Sequence, residues 1–255
     1  MTIVVPHGNS TEKNAAMRSL GAELIEHGRD FDDAKEQAAR IATERNLEYA
    51  PSFHRDFVVG VATYAFELFT AVVDLDTVFV PIGLGSGICG VIGTRDLLGL
   101  RTKIVGVVAE GANTYSLSVA AGRIAPTASA LTFADGMAIR VPDATALDVI
   151  RRGADRIVEV SDNEIAEAVR VIYSATHNCA EGAGAAALAG LLKERERLHG
   201  PAAVILSGRN IDRTWMQTIL AGGTPHWRGV RRALAKPPKA ESTMANTCRY
   251  GFVCI

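Results

Sequence analysis

The segment with the strongest chemical signature runs Val78-Phe79-Val80-Pro81-Ile82-Gly83-Leu84-Gly85-Ser86-Gly87-Ile88-Cys89-Gly90, an apolar strand that passes through glycines straight into a helix. Residues without a Cβ can turn successive N–H groups inward, and a helix start adds partial positive charge, so the loop suits an anion. The Ser86 hydroxyl is a further donor, and a phosphate-bearing ligand is the expectation. Within the loop, Gly85-x-Gly87-x-x-Gly90 spells GxGxxG, and Glu110 closes the next strand at about the spacing of a ribose-binding acid. A nicotinamide-dependent oxidoreductase is therefore one reading. Against it, the loop lies in mid-chain behind three helices, and Gly83 enlarges the turn. Glycines that serve only a tight turn and close helix–sheet packing are the bland alternative.

Other reactive residue types give less. Cys89, Cys179, Cys248 and Cys254 form no CxxC pair and no metal-ligand spacing with the six histidines, so neither a zinc site nor a disulfide framework is expected. Lys13 and Lys35 fall on polar helix faces, Lys103 at a strand entrance, and Lys193, Lys236 and Lys239 on exposed helix or tail, so each reads as a solvated charge.

The elements that must position the loop alternate. Thr2–Val5 reads as a strand, which needs a neighbour to pair with. Ser10 caps a helix through Leu20, Gly21 ends it, and Ala22–Ile25 is a second short apolar run. Asp30 opens a helix through Arg45 with one apolar face; Leu47–Phe53 reads as extended and Asp56–Val73 as a buried helix. Then come strand 77–80, the glycine loop, a helix to Leu98, strand 104–109, a short helix over 116–121, and strand 157–160. A helix opened by Ser161-x-x-Glu164, an Ala-rich helix from Gly182 and strand 202–206 follow. Strands alternating with helices predict an α/β fold with a mostly parallel sheet and helices on both faces.

Composition bounds the function classes. The 255 residues are 48% hydrophobic, and 27 Lys+Arg oppose 28 Asp+Glu, which describes a globular chain large enough for a sizeable core. A near-zero net charge argues against a nucleic-acid backbone or an anionic membrane as the main partner, so a small molecule is expected. The stretch 57–73 approaches the length of a membrane span, but Glu67, Gly60 and Thr63 interrupt it. No signal-peptide pattern is read at the start, and a cytoplasmic location is expected. From 222 to 255 basic residues are opposed only by Glu241 and prolines stand at 225, 237 and 238, which reads as a disordered basic tail.

Several segments, in order, carry a family resemblance. They are Ile3-Val4-Val5-Pro6, Lys13-x-x-x-Met17-x-x-Leu20-Gly21-Ala22, Gly60-x-x-Thr63-x-x-x-Glu67, the glycine loop, Ala109-Glu110-Gly111, Ala134-Asp135-Gly136, Glu181-Gly182-Ala183-Gly184-Ala185 and Ser207-Gly208-Arg209-Asn210. From Thr2 to about Asp212 the chain resembles the serine/threonine dehydratases (threonine ammonia-lyases) of the tryptophan-synthase-β-like, fold type II group that uses pyridoxal 5′-phosphate. The resemblance implies that Gly83, Leu84, Gly85, Ser86 and Gly87 hold the cofactor phosphate, that Ser207 bonds the pyridine nitrogen, and that Glu181 lies near the cofactor. A helix N-terminal acid favoured by the macrodipole explains Glu181 almost as well. A neutral hydroxyl at Ser207 suits elimination over reactions that need a long-lived carbanion. Glu110 resembles an acid beside a cation site, for Mg2+ or a monovalent ion, although Ser116 stands where a supporting acid is expected.

The implied reaction removes water from threonine or serine and yields a 2-oxo acid and ammonia. It requires a Schiff-base lysine in a Ser-Phe-Lys context and a serine–glycine–asparagine loop for the substrate carboxylate. Neither is in this sequence, and the resemblance places both upstream of Met1, so a truncated member is expected. With the substrate loop absent, the sequence does not give the choice among serine, threonine and hydroxyaspartate. The implied organisation is a small-domain remnant over 1–50, a large cofactor-binding domain over 51–221 and the tail, in a homodimer or higher homo-oligomer. Arg209 replaces a glycine, which is costly if the backbone there requires φ > 0. A catalytically inactive remnant that binds a phosphate compound is the competing reading.

Overall fold

In the computed structural model, which describes residues 1–226, the chain folds around two parallel sheets. Strands β1 (Thr2–Val5) and β2 (Glu23–Glu26) form the smaller one, with Ile3 opposite Leu24 and Val5 opposite Glu26. Helix α1 (Thr11–Ser19) connects them, and α2 (Phe31–Glu44) follows. Both helices start where capping chemistry dictates: Ser10 accepts the Lys13 amide and Asp30 accepts the Asp33 amide. The segment 47–53, expected to be extended, enters no strand ladder. Leu47, Tyr49 and Phe53 do alternate, but Pro51 between them has no amide to donate, and among the described residues no strand pairs with the segment.

Helix α3 (Arg55–Ala71) leads into the larger sheet. It was expected to be buried, yet it buries Ala65 and Phe69 and leaves Val59 and Phe66 exposed. Its apolar residues encircle the helix, so composition alone could not select the packed face. The sheet comprises β3 (Thr77–Pro81), β4 (Lys103–Ala109), β5 (Arg156–Val160) and β6 (Ala202–Val204), ordered β5-β4-β3-β6 and all parallel. The last strand stops at Val204, shorter than the run 202–206, and Ile205 adds one further bond to the Phe79 carbonyl (3.0 Å).

Both faces of this sheet are covered, as its continuous apolar strands require. Val78, Val80, Ile104 and Val108 face a cluster formed with α3, α4 (Ser86–Leu97), α5 (Thr114–Ala121) and α6 (Ala144–Gly153). Phe79, Val105, Val107 and Ala109 face the opposite way, onto α7 (Asp162–Thr176), α8 (Gly182–Lys193) and α9 (Arg213–Leu220). Helix α7 opens with the expected capping box: Glu164 accepts the Ser161 amide at 2.7 Å and donates its own amide to the Ser161 hydroxyl at 3.3 Å. Among the described residues no helix is long and apolar enough to cross a membrane.

Charge pairs join the smaller sheet unit to the larger. Arg140, with only 14% of its side chain exposed, donates to Asp30 at 2.6 and 3.0 Å and to Asp33 at 2.8 Å, and its amide donates to the buried Asp32 at 2.7 Å. Burial alone would raise the Asp30 carboxyl, but the Arg140 bonds and the Asp33 amide outweigh it and hold it below its ordinary 3.8. A carboxyl lowered in the folded state stabilises fully above its unfolded value and loses that contribution as pH falls through the folded one. Arg140→Met is therefore expected to cost about 2–4 kcal/mol at neutral pH, somewhat under a fully buried pair because solvent reaches this one. Urea unfolding should show the gap between parent and variant shrinking as Asp30 protonates; a gap independent of pH would refute this account.

Candidate active site

The larger sheet has one topological switch point. From β3 the chain moves to β4 on one side, and β6 pairs with β3 on the other, so a crevice opens at the carboxyl ends of β3 and β6. Gly83 to Gly87 fill one rim. Ile82 still donates to the Val107 carbonyl (2.8 Å), Gly85 takes a left-handed φ of 104°, and α4 begins at Ser86. The first helical bond runs from Cys89 to the Gly85 carbonyl (3.0 Å), so the amides just before Cys89 have no helical acceptor. A Cβ on Gly83 would overlap the Gly136 carbonyl oxygen, and one on Gly85 would press into the Ala146 methyl.

Tyr115, which the sequence reading did not single out, holds the loop from beneath. Its buried hydroxyl donates to the Leu84 carbonyl (2.7 Å) and accepts the Asp143 amide (3.2 Å). Burial pushes the phenol well above its usual range, so it remains a donor. The bond fixes the direction of one carbonyl of the loop.

Ser207 and Gly208 form the opposite rim beyond β6. Glu181, the N-cap of α8, donates its amide to the Gly208 carbonyl at 3.1 Å, and its carboxylate lies so close that a Cβ on Gly208 would overlap Oε1. Glu181 Oε1 also lies 3.8 Å from the place a Cβ would take on Gly136, the residue whose carbonyl abuts Gly83. A continuous wall thus runs Gly83, Gly136, Glu181, Gly208, linking the glycine loop to the Ser207 strand end. Arg209 is exposed and its φ is not left-handed, so the strain anticipated there does not arise. The close approach belongs to Gly208, one residue earlier.

Lys13 departs most from expectation. It is not a solvated charge: its ammonium pairs with Asp135 at 2.7 Å and lies 3.8 Å from Glu181, with 22% of the side chain exposed. Burial works to lower its pKa, but Asp135, Glu181 and Asp212 outweigh it and hold the ammonium above the ordinary 10.5. Glu181 is raised by burial and by Asp135, and is drawn partly back by Lys13. These three side chains line a cavity of about 420 Å3 between the two sheet units, walled also by Phe31, Leu131 and Ala138.

Glu110 does not join this constellation. Its half-exposed carboxylate faces the Lys193 ammonium at 3.6 Å, and Lys193 also binds Glu164 (3.1 Å) and the Glu159 carbonyl (2.8 Å). No group of three or more His, Cys, Asp or Glu able to hold a metal occurs among the described residues. The third glycine of GxGxxG, Gly90, packs against Val58 and Val61 of α3, where a Cβ would collide. It serves helix–helix contact, and Glu110 is engaged elsewhere, so nothing here supports the dinucleotide reading.

A parallel sheet with helices on both faces, a glycine loop at its switch point and a smaller parallel unit over the crevice is the fold type II architecture of pyridoxal-phosphate enzymes. The chain belongs to the pyridoxal-phosphate dependent enzyme family, whose profile matches residues 1–208. It is 30% identical over 223 residues to an L-threonine ammonia-lyase of Thermotoga maritima, covering 87% of this chain and 56% of that protein. An L-threo-3-hydroxyaspartate ammonia-lyase of Saccharomyces cerevisiae is also 30% identical, over 87% of this chain and 68% of that one. The processed form of threonine deaminase isoform 2 from Solanum lycopersicum superposes with a TM-score of 0.78 at 30% identity, over 87% of this chain and 66% of that chain. The chain thus spans little more than half the length of the Thermotoga relative.

The Tyr115 bonds yield a test. Tyr115→Phe leaves the half-buried Leu84 carbonyl and Asp143 amide without their partner and is expected to cost about 1–3 kcal/mol in urea unfolding. Amide exchange should quicken in the glycine loop more than in β4; uniform quickening would show that the hydroxyl does not hold the loop.

Proposed function

We propose that this chain is the cofactor-binding body of an ammonia-lyase that acts on threonine or serine, with residues 1–50 as part of its small domain and 51–221 as its large one. The observation that carries the reading is the wall that brings the glycine loop and the Ser207 strand end to one crevice. The residues present fit pyridoxal 5′-phosphate. Loop amides without helical acceptors, the Ser86 hydroxyl and the start of α4 suit a phosphate dianion. The group itself supplies an electron sink that makes the substrate's α-hydrogen acidic and lets the β-hydroxyl leave.

The chain's own residues bind and orient. Gly83 to Gly87 take the phosphate, Ser207 offers a neutral hydroxyl to the ring nitrogen, and Glu181 forms the wall beside it. The cavity bounded by Phe31, Leu131 and Ala138 admits a small amino acid and limits water. Proton transfer at the α-carbon needs a base, and no lysine of this sequence stands in a Ser-Phe-Lys context. We therefore assign these residues binding and orientation. A cation at Glu110 would compete with the Lys193 ammonium for that carboxylate, so any Mg2+ or monovalent ion there should bind better in Lys193→Met, as calorimetry can show.

Titrating the chain with pyridoxal phosphate while following its absorbance should give saturable binding that inorganic phosphate competes away. Gly85→Val forces a β-branched residue into a left-handed conformation and should weaken binding by about tenfold or more. Ser207→Ala should keep the phosphate-competable component and change the ligand's spectrum. Absence of saturable binding to the folded parent chain would sink the proposal.

A further inference from the structure

Of the four lysines described, Lys13 is the one that lines the cavity, and no role assigned so far uses it. It projects from α1 of the smaller unit across to the larger one. There its ammonium meets two carboxylates from different places in the chain: Asp135, in the single turn that carries Gly136, and Glu181, at the head of α8. Asp135 and Lys13 face it directly, Asp212 acts on Lys13 from beyond the Ser207 segment, Arg209 points to solvent, and the first turn of α8 contributes no charge. Two anions therefore share one cation in a site that solvent reaches poorly. In such a site the ionisation of the second carboxylate depends on the cation's presence.

We propose that Lys13 is a positioning residue: by clamping Asp135 and Glu181 it couples docking of α1 to an ionised Glu181 held beside Ser207 and Gly208. An ammonium bound by two carboxylates is a poor nucleophile at neutral pH, which separates this role from covalent attachment of an aldehyde. The consequence for chemistry rests on the cofactor reading above. A charged Glu181 sets the field at the rim where the ring nitrogen is assigned, so the clamp tunes the site without touching the reacting atoms. The clamp itself exists without cofactor, and its test can stand apart.

Carbon-13 NMR of the chain labelled at glutamate carboxyls, with Glu181→Gln to assign the resonance, reads Glu181 directly. Lys13→Gln should raise the proton affinity of Glu181 by about tenfold or more, and Lys13→Arg should largely restore it. Asp135→Asn should move it the other way, because a neighbouring negative charge is removed; this variant serves if Lys13→Gln fails to fold. A merely structural lysine would lower stability in both Lys13 variants without moving the midpoint, and that result overturns the proposal. So would an adduct on Lys13 after pyridoxal phosphate and borohydride, located by mass spectrometry, because it would make this lysine a covalent site. If the parent chain fails to bind pyridoxal phosphate while the midpoints move as stated, the cofactor reading falls and the clamp stands.

Discussion

Everything at the crevice depends on backbone being allowed to lie against backbone and carboxylate at the carboxyl ends of β3 and β6. At Gly83 and Gly208 a single methyl group would meet the Gly136 oxygen or the Glu181 carboxylate. The sheet brings the two strand ends side by side because β3 is central and the chain leaves it in one direction and returns on the other. Without side chains at those points, loop amides, the Ser207 hydroxyl and an acid share one small surface. The apolar helices on both faces make this surface rigid, since displacing it would open packed cores around Phe79 and Val80.

The second organising force is charge across the seam between the two sheet units. Arg140 gathers three aspartates from the start of α2, Lys13 reaches Asp135, and Ser10 bonds Asp212. Such contacts are directional, and they define an orientation that apolar contact alone would leave loose. They also place a cluster of ionisable groups at the mouth of the cavity, so the geometry of the site and its electrostatics come from the same residues.

Local chemistry was legible in the sequence. The caps at Ser10, Asp30 and Ser161, the glycine loop and the apolar strands were read because each signal is contained within a few residues. Glu181 and Ser207 were read only through resemblance. Lys13 reads as a solvated charge because a helix face that meets a carboxylate 122 residues away looks, in sequence, the same as one that meets water. Tyr115 was passed over for a related reason: its partners Leu84 and Asp143 are distant in the chain. Helices α6 and α9 did carry local signals, Asp143 before Ala146, Leu147 and Ile150, and Trp215, Met216 and Ile219 at helical spacing, which the sequence reading did not use. The run 202–206 ends early as a strand because β3 next presents Pro81, which has no amide to donate to it.

The ladder between β1 and β2 has only four residue pairs. Two short parallel strands bury too little to persist alone in water, so their order is borrowed from the body they rest on. The molecule should therefore have a graded native state, in which the first 45 residues detach and unravel at a lower free energy than the four-stranded sheet. Because Lys13 and Phe31 ride on that detachable piece, the cavity they line is complete only in the fully docked members of the ensemble. Affinity in the cavity and the folding equilibrium of the amino-terminal strands are then two readings of one quantity, and a ligand that needs the whole cavity would lend stability to β1 without touching it.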